Sequence, residues 1–204
     1  MDRAMLKEKA REQIKGNIGV LFGISVLAFI VMCLANIIPV VGSLVDIVVI
    51  TPAFTIAIAC IYLNMAQGVK PEIKELFTHF GEFGNAFLVS FLMSLFTILW
   101  SLLFIIPGIV KAYSYSQAIY VMADNPGIGP LEAINRSKEM MKGHKMELFI
   151  LELSFIGWGL LCIITFGIAA IWVGPYVSAT MTNFYNAVKP HSGIVEEPAG
   201  GPEF

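Results

Sequence analysis

Charged residues fall in short clusters along this chain, and the intervals between the clusters are long and apolar. No Asp, Glu, Lys or Arg occurs in the thirty-six residues from Leu153 to Val188. Three more uncharged runs precede it: Gly16 to Val45, Ile47 to Val69 and Phe83 to Val110. A mostly apolar run of about eighteen residues or more is a candidate transmembrane helix. About twenty residues cross a bilayer core at ~1.5 Å per residue, so the longer runs hold two helices each or continue into a neighbour. Pro39, Pro107 and Gly167 are the natural breaks, each after an apolar stretch. The pattern predicts six spans, near 17–38, 44–66, 83–106, 108–124, 146–166 and 168–187, with the fourth short and polar.

The basic residues orient these spans. Arg3, Lys7, Lys9, Arg11 and Lys15 precede the first. Lys70 and Lys74 follow the second, Arg136, Lys138, Lys142 and Lys145 follow the fourth, and Lys189 follows the sixth. With six spans every basic residue except Lys111 falls on one side, which the positive-inside rule makes cytoplasmic together with both termini.

The breaks also suggest a repeat. Ile37-Ile38-Pro39 matches Ile105-Ile106-Pro107 and, loosely, Ile164-Thr165-Phe166-Gly167, and the returning spans end near Asn64, Asn125 and Asn186. Pro71 and Pro130 each open a short amphipathic link; proline suits a first helical position, where its missing N–H has no partner to lose. The links are expected in the inner interface, apolar face in lipid and basic residues near anionic headgroups. The expected fold is therefore all-α and polytopic: six transmembrane helices as three helix-hairpin repeats with short amphipathic cytoplasmic helices. Residues 1–16 form a cytoplasmic amphipathic segment. The membrane domain runs over 17–188, with repeat units near 17–80, 83–142 and 146–188. Residues 189–204 form a tail, which is Gly-, Pro- and Glu-rich from His191 and reads as disordered.

Composition agrees. The 204 residues are 57% hydrophobic and 14% charged, against about 25% charged in ordinary soluble domains. One membrane domain fits this length, with no room for a sizeable soluble one. A net charge of −2 suggests no nucleic-acid partner. The N-terminal charges, followed by an apolar run longer than a leader's, read as a retained first span rather than a cleaved signal. Cys33, Cys60 and Cys162 each sit inside an apolar run and read as small packing residues.

Candidate chemistry lies in the even spans, which are more polar than the odd ones. Tyr113, Gln117, Tyr120 and Asp124 recur at i, i+4, i+7 and i+11, one helical face. Span 2 offers Thr51, Thr55 and Tyr62, and span 6 offers Tyr176, Thr180 and Asn183. If the even spans face one another, these groups line an interior pathway; hydroxyls and small residues equally serve as glue between helices. Asp46, Lys111 and Glu152 fall at membrane depth, where a charge usually has a partner or a function. Asp46 and Lys111 either pair or snorkel separately to the outer interface. Glu152 reads as an interfacial carboxylate.

No hydrolase, nucleotide-binding or zinc-peptidase motif occurs. His79, His144 and His191 fall in cytoplasmic segments without ligand-spaced partners. No catalytic residue, cofactor or metal is expected.

Residues 105–116 (IIPGIVKAYSYS), Ala123-Asp124-Asn125-Pro126, the stretch from Glu132 to Lys145, Leu153 to Trp158 and Gly174-Pro175-Tyr176 carry a resemblance. Together they resemble the bacterial integral-membrane proteins grouped as domain of unknown function 975. The resemblance covers nearly the whole chain before the tail and implies a multi-pass bacterial inner-membrane protein. It implies no activity and transfers no functional residue. A looser similarity to the membrane domain that accompanies some glycerophosphodiester phosphodiesterases points by analogy to a lipid-related or scaffolding role. The expected function is non-enzymatic handling of a small solute or a lipid; the alternative is an accessory, scaffold or immunity-type protein acting through a membrane protein partner. The expected partners are the lipid bilayer, anionic headgroups at the cytoplasmic face and, in the alternative, that protein.

Overall fold

Helices account for all the regular structure among the described residues of this computed structural model, which are 3–35, 46–78, 81, 83–103, 105–165 and 167–189. In chain order they are α1 (Arg3–Ile14), α2 (Ile18–Ala35), α3 (Thr51–Ala66), α4 (Glu75–Thr78), α5 (Phe83–Leu103), α6 (Ile105–Tyr115), α7 (Ala118–Asp124), α8 (Pro130–Met140), α9 (Lys145–Leu153), α10 (Ile156–Ile164) and α11 (Ala170–Val188). A π-helical turn, Asp46–Ile50, leads into α3. The Pro39 break and the tail from His191 lie outside the described residues.

Length and composition qualify two segments to cross a membrane, Gly84–Ser101 in α5 and Lys145–Ile164 through α9 and α10. A third qualifies if α1 and α2 count together, although they meet at 86°. α3 is apolar but shorter. Each predicted helical region is thus present, while the single long fourth and fifth helices are each broken in two.

The first of these breaks has a visible cause. Ser137 of α8 inserts between two backbone groups of the α6–α7 helix. Its Oγ donates to the Ser114 carbonyl at 2.8 Å and accepts from the Gln117 N–H at 3.2 Å. A side chain entering the i→i−4 ladder kinks a helix, and the chain turns at Ser116–Gln117. In the second break the Ser154 hydroxyl donates back to the Leu151 carbonyl while accepting from Lys7 Nζ at 2.6 Å. Gly167, at φ 87°, turns α10 into α11, the left-handed conformation that favours glycine.

The core runs along one set of helices. α3 is buried over most of its length, from Pro52 and Phe54 to Leu63 and Met65. α7 and the C-terminal half of α11 pack against it. α2, α5 and α10 instead turn large apolar side chains outward, among them Phe29, Leu34, Phe91, Ile98, Leu160 and Ile163. Exposed apolar side chains in such number mark a membrane or partner interface. Cys60 alone of the three cysteines is buried; Cys162 is intermediate and Cys33 is exposed, on the outward face of α2.

The amphipathic links divide their apolar residues between protein and surface. Leu76 of α4, and Ala133, Ile134 and Met140 of α8, are buried by protein, whereas Ile73, Phe77 and Leu131 are exposed. α4 packs on α3, and α8 packs on α5, α6 and α7. Pro130 opens α8 as expected, but Pro71 stands four residues ahead of α4. Both links tie back alike. Asn64 Nδ2 donates to Glu75 Oε2 at 3.3 Å, and Arg136 Nη1 donates to Asn125 Oδ1 at 3.2 Å, each partner eleven residues on.

Candidate functional site: a polar seam and its flanking cavities

α3, α7 and α11 meet along a seam of hydroxyl groups. Tyr62 of α3 lies beside Ser178 of α11. Tyr120 of α7 lies beside Thr182 and stacks on Tyr185, ring centroids 5.6 Å apart at 23°. Tyr185 donates to Asp124 Oδ2 at 2.9 Å, and Lys189 pairs with the same carboxylate. A cavity of about 540 Å³ lies beside this end, walled by Asp124, Arg136, Glu139, Tyr185 and Lys189. Gln117 is buried; its side-chain NH₂ donates to Ser116 Oγ at 3.1 Å, and its Oε1 finds no donor among the described residues.

The polar residues of α11 divide between two faces. Ser178, Thr182, Tyr185 and Lys189 take the seam. Tyr176, Thr180 and Asn183, the trio singled out in the sequence, are buried elsewhere. Asn183 exchanges hydrogen bonds with Gln13 of α1, both at 3.1 Å, and also donates to the Leu6 carbonyl. Thr180 Oγ1 donates to its own helix at the Tyr176 carbonyl, 2.8 Å away. Tyr176 lies edge-on to Phe155 and Trp158 and under the Arg11 guanidinium, 5.5 Å from the ring centroid. α1 is thus a strap across α11, with Leu6, Ala10 and Ile14 buried beneath it.

The remaining candidates are dispersed. The break at Ser116–Gln117 takes Tyr113 off the face of Gln117, Tyr120 and Asp124. Its hydroxyl donates to Glu152 Oε2 at 2.6 Å, and its ring packs edge-on to Phe149. Thr55 is exposed and donates to the Thr51 carbonyl at 2.7 Å. Asp46 accepts from Thr51 Oγ1 at 3.3 Å, whereas Lys111 Nζ lies 4.6 Å from the Trp100 ring centroid. The two charges therefore have different neighbours. Among the described residues no three His, Cys, Asp or Glu side chains gather as a metal site.

A model of the family described as protein of unknown function, DUF975, matches residues 1–114 and 102–192. The chain belongs to this family. No curated protein and no solved structure matches it. Two further cavities flank α11 of this DUF975 chain. One of about 720 Å³ lies between α2, α3 and α11. Its walls include Phe22, Val26, Phe29 and Ile58, with Tyr62 and Ser178 from the seam. The other, of about 290 Å³, lies where α1 meets α2, against Trp158, Trp172 and Tyr176.

Sequence reading missed the residues that complete the seam: Ser137, Ser178, Thr182, Tyr185 and Lys189. The signal for the last four was present. Their spacing, i, i+4, i+7 and i+11, equals that of Tyr113, Gln117, Tyr120 and Asp124.

Proposed function

We propose that this chain is a six-span bacterial inner-membrane protein that handles a lipid without chemical conversion, holding an acyl chain in the groove between α2, α3 and α11. The observation that carries this reading is the groove itself. It is apolar along most of its wall, its lining residues Phe22, Val26 and Phe29 belong to the exposed apolar surface, and its polar groups are confined to Ser25, Tyr62 and Ser178. Such walls suit a hydrocarbon chain entering sideways from the bilayer better than a hydrated solute.

On this reading the six spans are α2, the α3 region, α5, α6–α7, α9–α10 and α11, and the packing of α8 over the bend in α6–α7 supports a broken span there. The 86° corner between α1 and α2 supports α1 in the inner interface and α2 across the bilayer. Three repeats are supported by Asn64, Asn125 and Asn186, each sixty-one residues from the next, and by the like ties of the first two. Both termini are then cytoplasmic. Topology reporters fused after Lys70, Gly143 and Lys189 should read cytoplasmic, and one fused after Gly167 external. A cytoplasmic reading at Gly167 would sink the six-span arrangement.

Gly174→Leu, which fills the groove, should abolish co-purification of lipid while the protein stays folded in micelles. Undiminished lipid would refute the groove's role. Gly167, Ala170, Gly174 and Ser178 also put small residues along one wall, which suits close approach of a foreign helix. On that second reading Gly174→Leu would disrupt a complex with another membrane protein and leave bound lipid unchanged.

A further inference from the structure

We propose that the cavity at the α1–α2 corner binds the phosphate headgroup of an anionic phospholipid, through Arg11 and Lys15. This site rests on the chain lying in a membrane, as proposed above, and neither on the six-span count nor on the groove being occupied.

Two cations sit at its mouth. Arg11 lies near the end of α1 and Lys15 four residues on, both exposed and both lining the cavity. Among the described residues neither forms an ion pair, although Glu8 and Glu12 share their segment. Arg11 lies over the face of Tyr176, which leaves guanidinium N–H groups for a phosphate, the anion its planar fork suits. The local field is positive: after burial, Arg11 and Arg3 are what hold the Lys7 pKa below its usual value.

The other walls fix where the cavity stands. Gly16, at φ 90°, turns the chain through the corner, so the cations end an amphipathic helix where an apolar one begins. Ile18, Trp158 and Trp172 line the cavity and remain exposed, Trp172 at 56%. Tryptophan beside basic residues is the composition of a membrane–water boundary. Tyr176 forms the remaining wall; it is 8% exposed, and its hydroxyl has no hydrogen-bond partner among the described residues. Cations on the watery side and aromatic rings on the apolar side match the two ends of a lipid at its glycerol-phosphate level. A soluble anion would use only the first.

The test is retention of phosphatidylglycerol against phosphatidylcholine by the full chain in dodecyl maltoside micelles, read by native mass spectrometry. The wild type should prefer phosphatidylglycerol, and Arg11→Gln with Lys15→Gln should lower that preference about ten-fold or more. Arg11→Lys should keep most of it, and Lys9→Gln all of it. If the double variant fails to fold, Lys15→Gln with Trp172→Ala provides the same test without removing the Arg11 contact to Tyr176. A preference that survives either folded double variant overturns the proposal. So does displacement of phosphatidylglycerol by millimolar inorganic phosphate, which would make this a site for a free anion. Gly174→Leu separates the two cavities: it should leave the phosphatidylglycerol preference intact even where it empties the groove.

Discussion

α3 and α10 are both uncharged apolar helices, and they have opposite surroundings. α3 is buried along most of its length, whereas no residue of α10 is buried. Hydropathy separates them only in degree, α3 being the more polar of the two. Side-chain size separates them further. α3 carries Ala53, Ala57, Ala59 and Cys60, which let α7, α5 and α11 approach closely. α10 carries Leu160, Leu161, Ile163 and Ile164, all exposed, and Trp158, which is covered in part by Tyr176. The difference is one of placement: α3 sets its small residues against its neighbours, whereas α10 leaves both its large side chains and Gly157 and Gly159 exposed.

The most severe test of this contrast is to exchange sizes. Ala57 is fully buried, so Ala57→Leu should destabilise the protein by about 3 kcal/mol through overpacking. Leu160→Ala on α10 should change stability by less than about 0.5 kcal/mol, as surface substitutions do. Thermal unfolding in micelles measures both, and equal effects would break the comparison. A second pair concerns glycine. A Cβ on Gly108 would lie 2.7 Å from the Ser101 Cα where α5 and α6 press together, whereas one on Gly157 of α10 would meet nothing within 4 Å. Gly108→Ala should therefore cost about 2.5 kcal/mol. Gly157→Ala should be neutral or stabilising by up to about 1 kcal/mol, since alanine is the better helix former.

A third pair compares hydroxyls. Ser137 is fully buried and satisfies two backbone groups at once. Ser137→Ala should cost about 2 kcal/mol, because it leaves a carbonyl and an N–H without partners. Thr55 is exposed and only returns its proton to its own helix at Thr51, 2.7 Å away, so Thr55→Ala should shift the unfolding midpoint barely at all. If Ser137→Ala is equally silent, α6 and α7 do not need the inserted hydroxyl to bend.

Ser137 also shows where sequence reading stops. The helices were legible because charge exclusion and Pro or Gly breaks are local properties of the chain, and the family was legible from contiguous motifs. The exposed α2, α5 and α10 against a buried α3 follow the odd–even difference in polarity. The seam was only half legible. The Tyr113 stripe assumed an unbroken helix, and its break comes from a serine twenty residues on, which a 3.6-residue period cannot register. The polar face of α11 was misassigned because α1, an amphipathic helix with no obvious partner, covers the Asn183 side and leaves Ser178, Thr182 and Tyr185 to meet α3 and α7. Asp46 and Lys111 were compared by depth, yet depth does not choose a partner: Asp46 accepts from Thr51, and Lys111 lies against the Trp100 ring.

The smallest effect concerns that strap. Lys7 donates to Ser154 Oγ and lies 4.6 Å from the Phe155 ring centroid, contacts that the covered surface of α9–α11 offers and the bare surface of α10 does not. Burial first, then Arg11 and Arg3, lower its pKa from the usual 10.5. Below the lowered value Lys7 is charged in both folded and unfolded chains, and the folded state bears the whole penalty. As pH rises from there toward 10.5 the folded chain sheds its proton first, so the unfolded state holds more protons and stability climbs. Lys7→Met keeps the apolar stem over Phe155 and removes the titration. Between pH 8 and 10.5 the wild-type unfolding midpoint should therefore rise relative to that of Lys7→Met, other groups cancelling in the difference. A constant difference would mean that Lys7 titrates as a free surface lysine and that α1 is not held against Ser154 and Phe155.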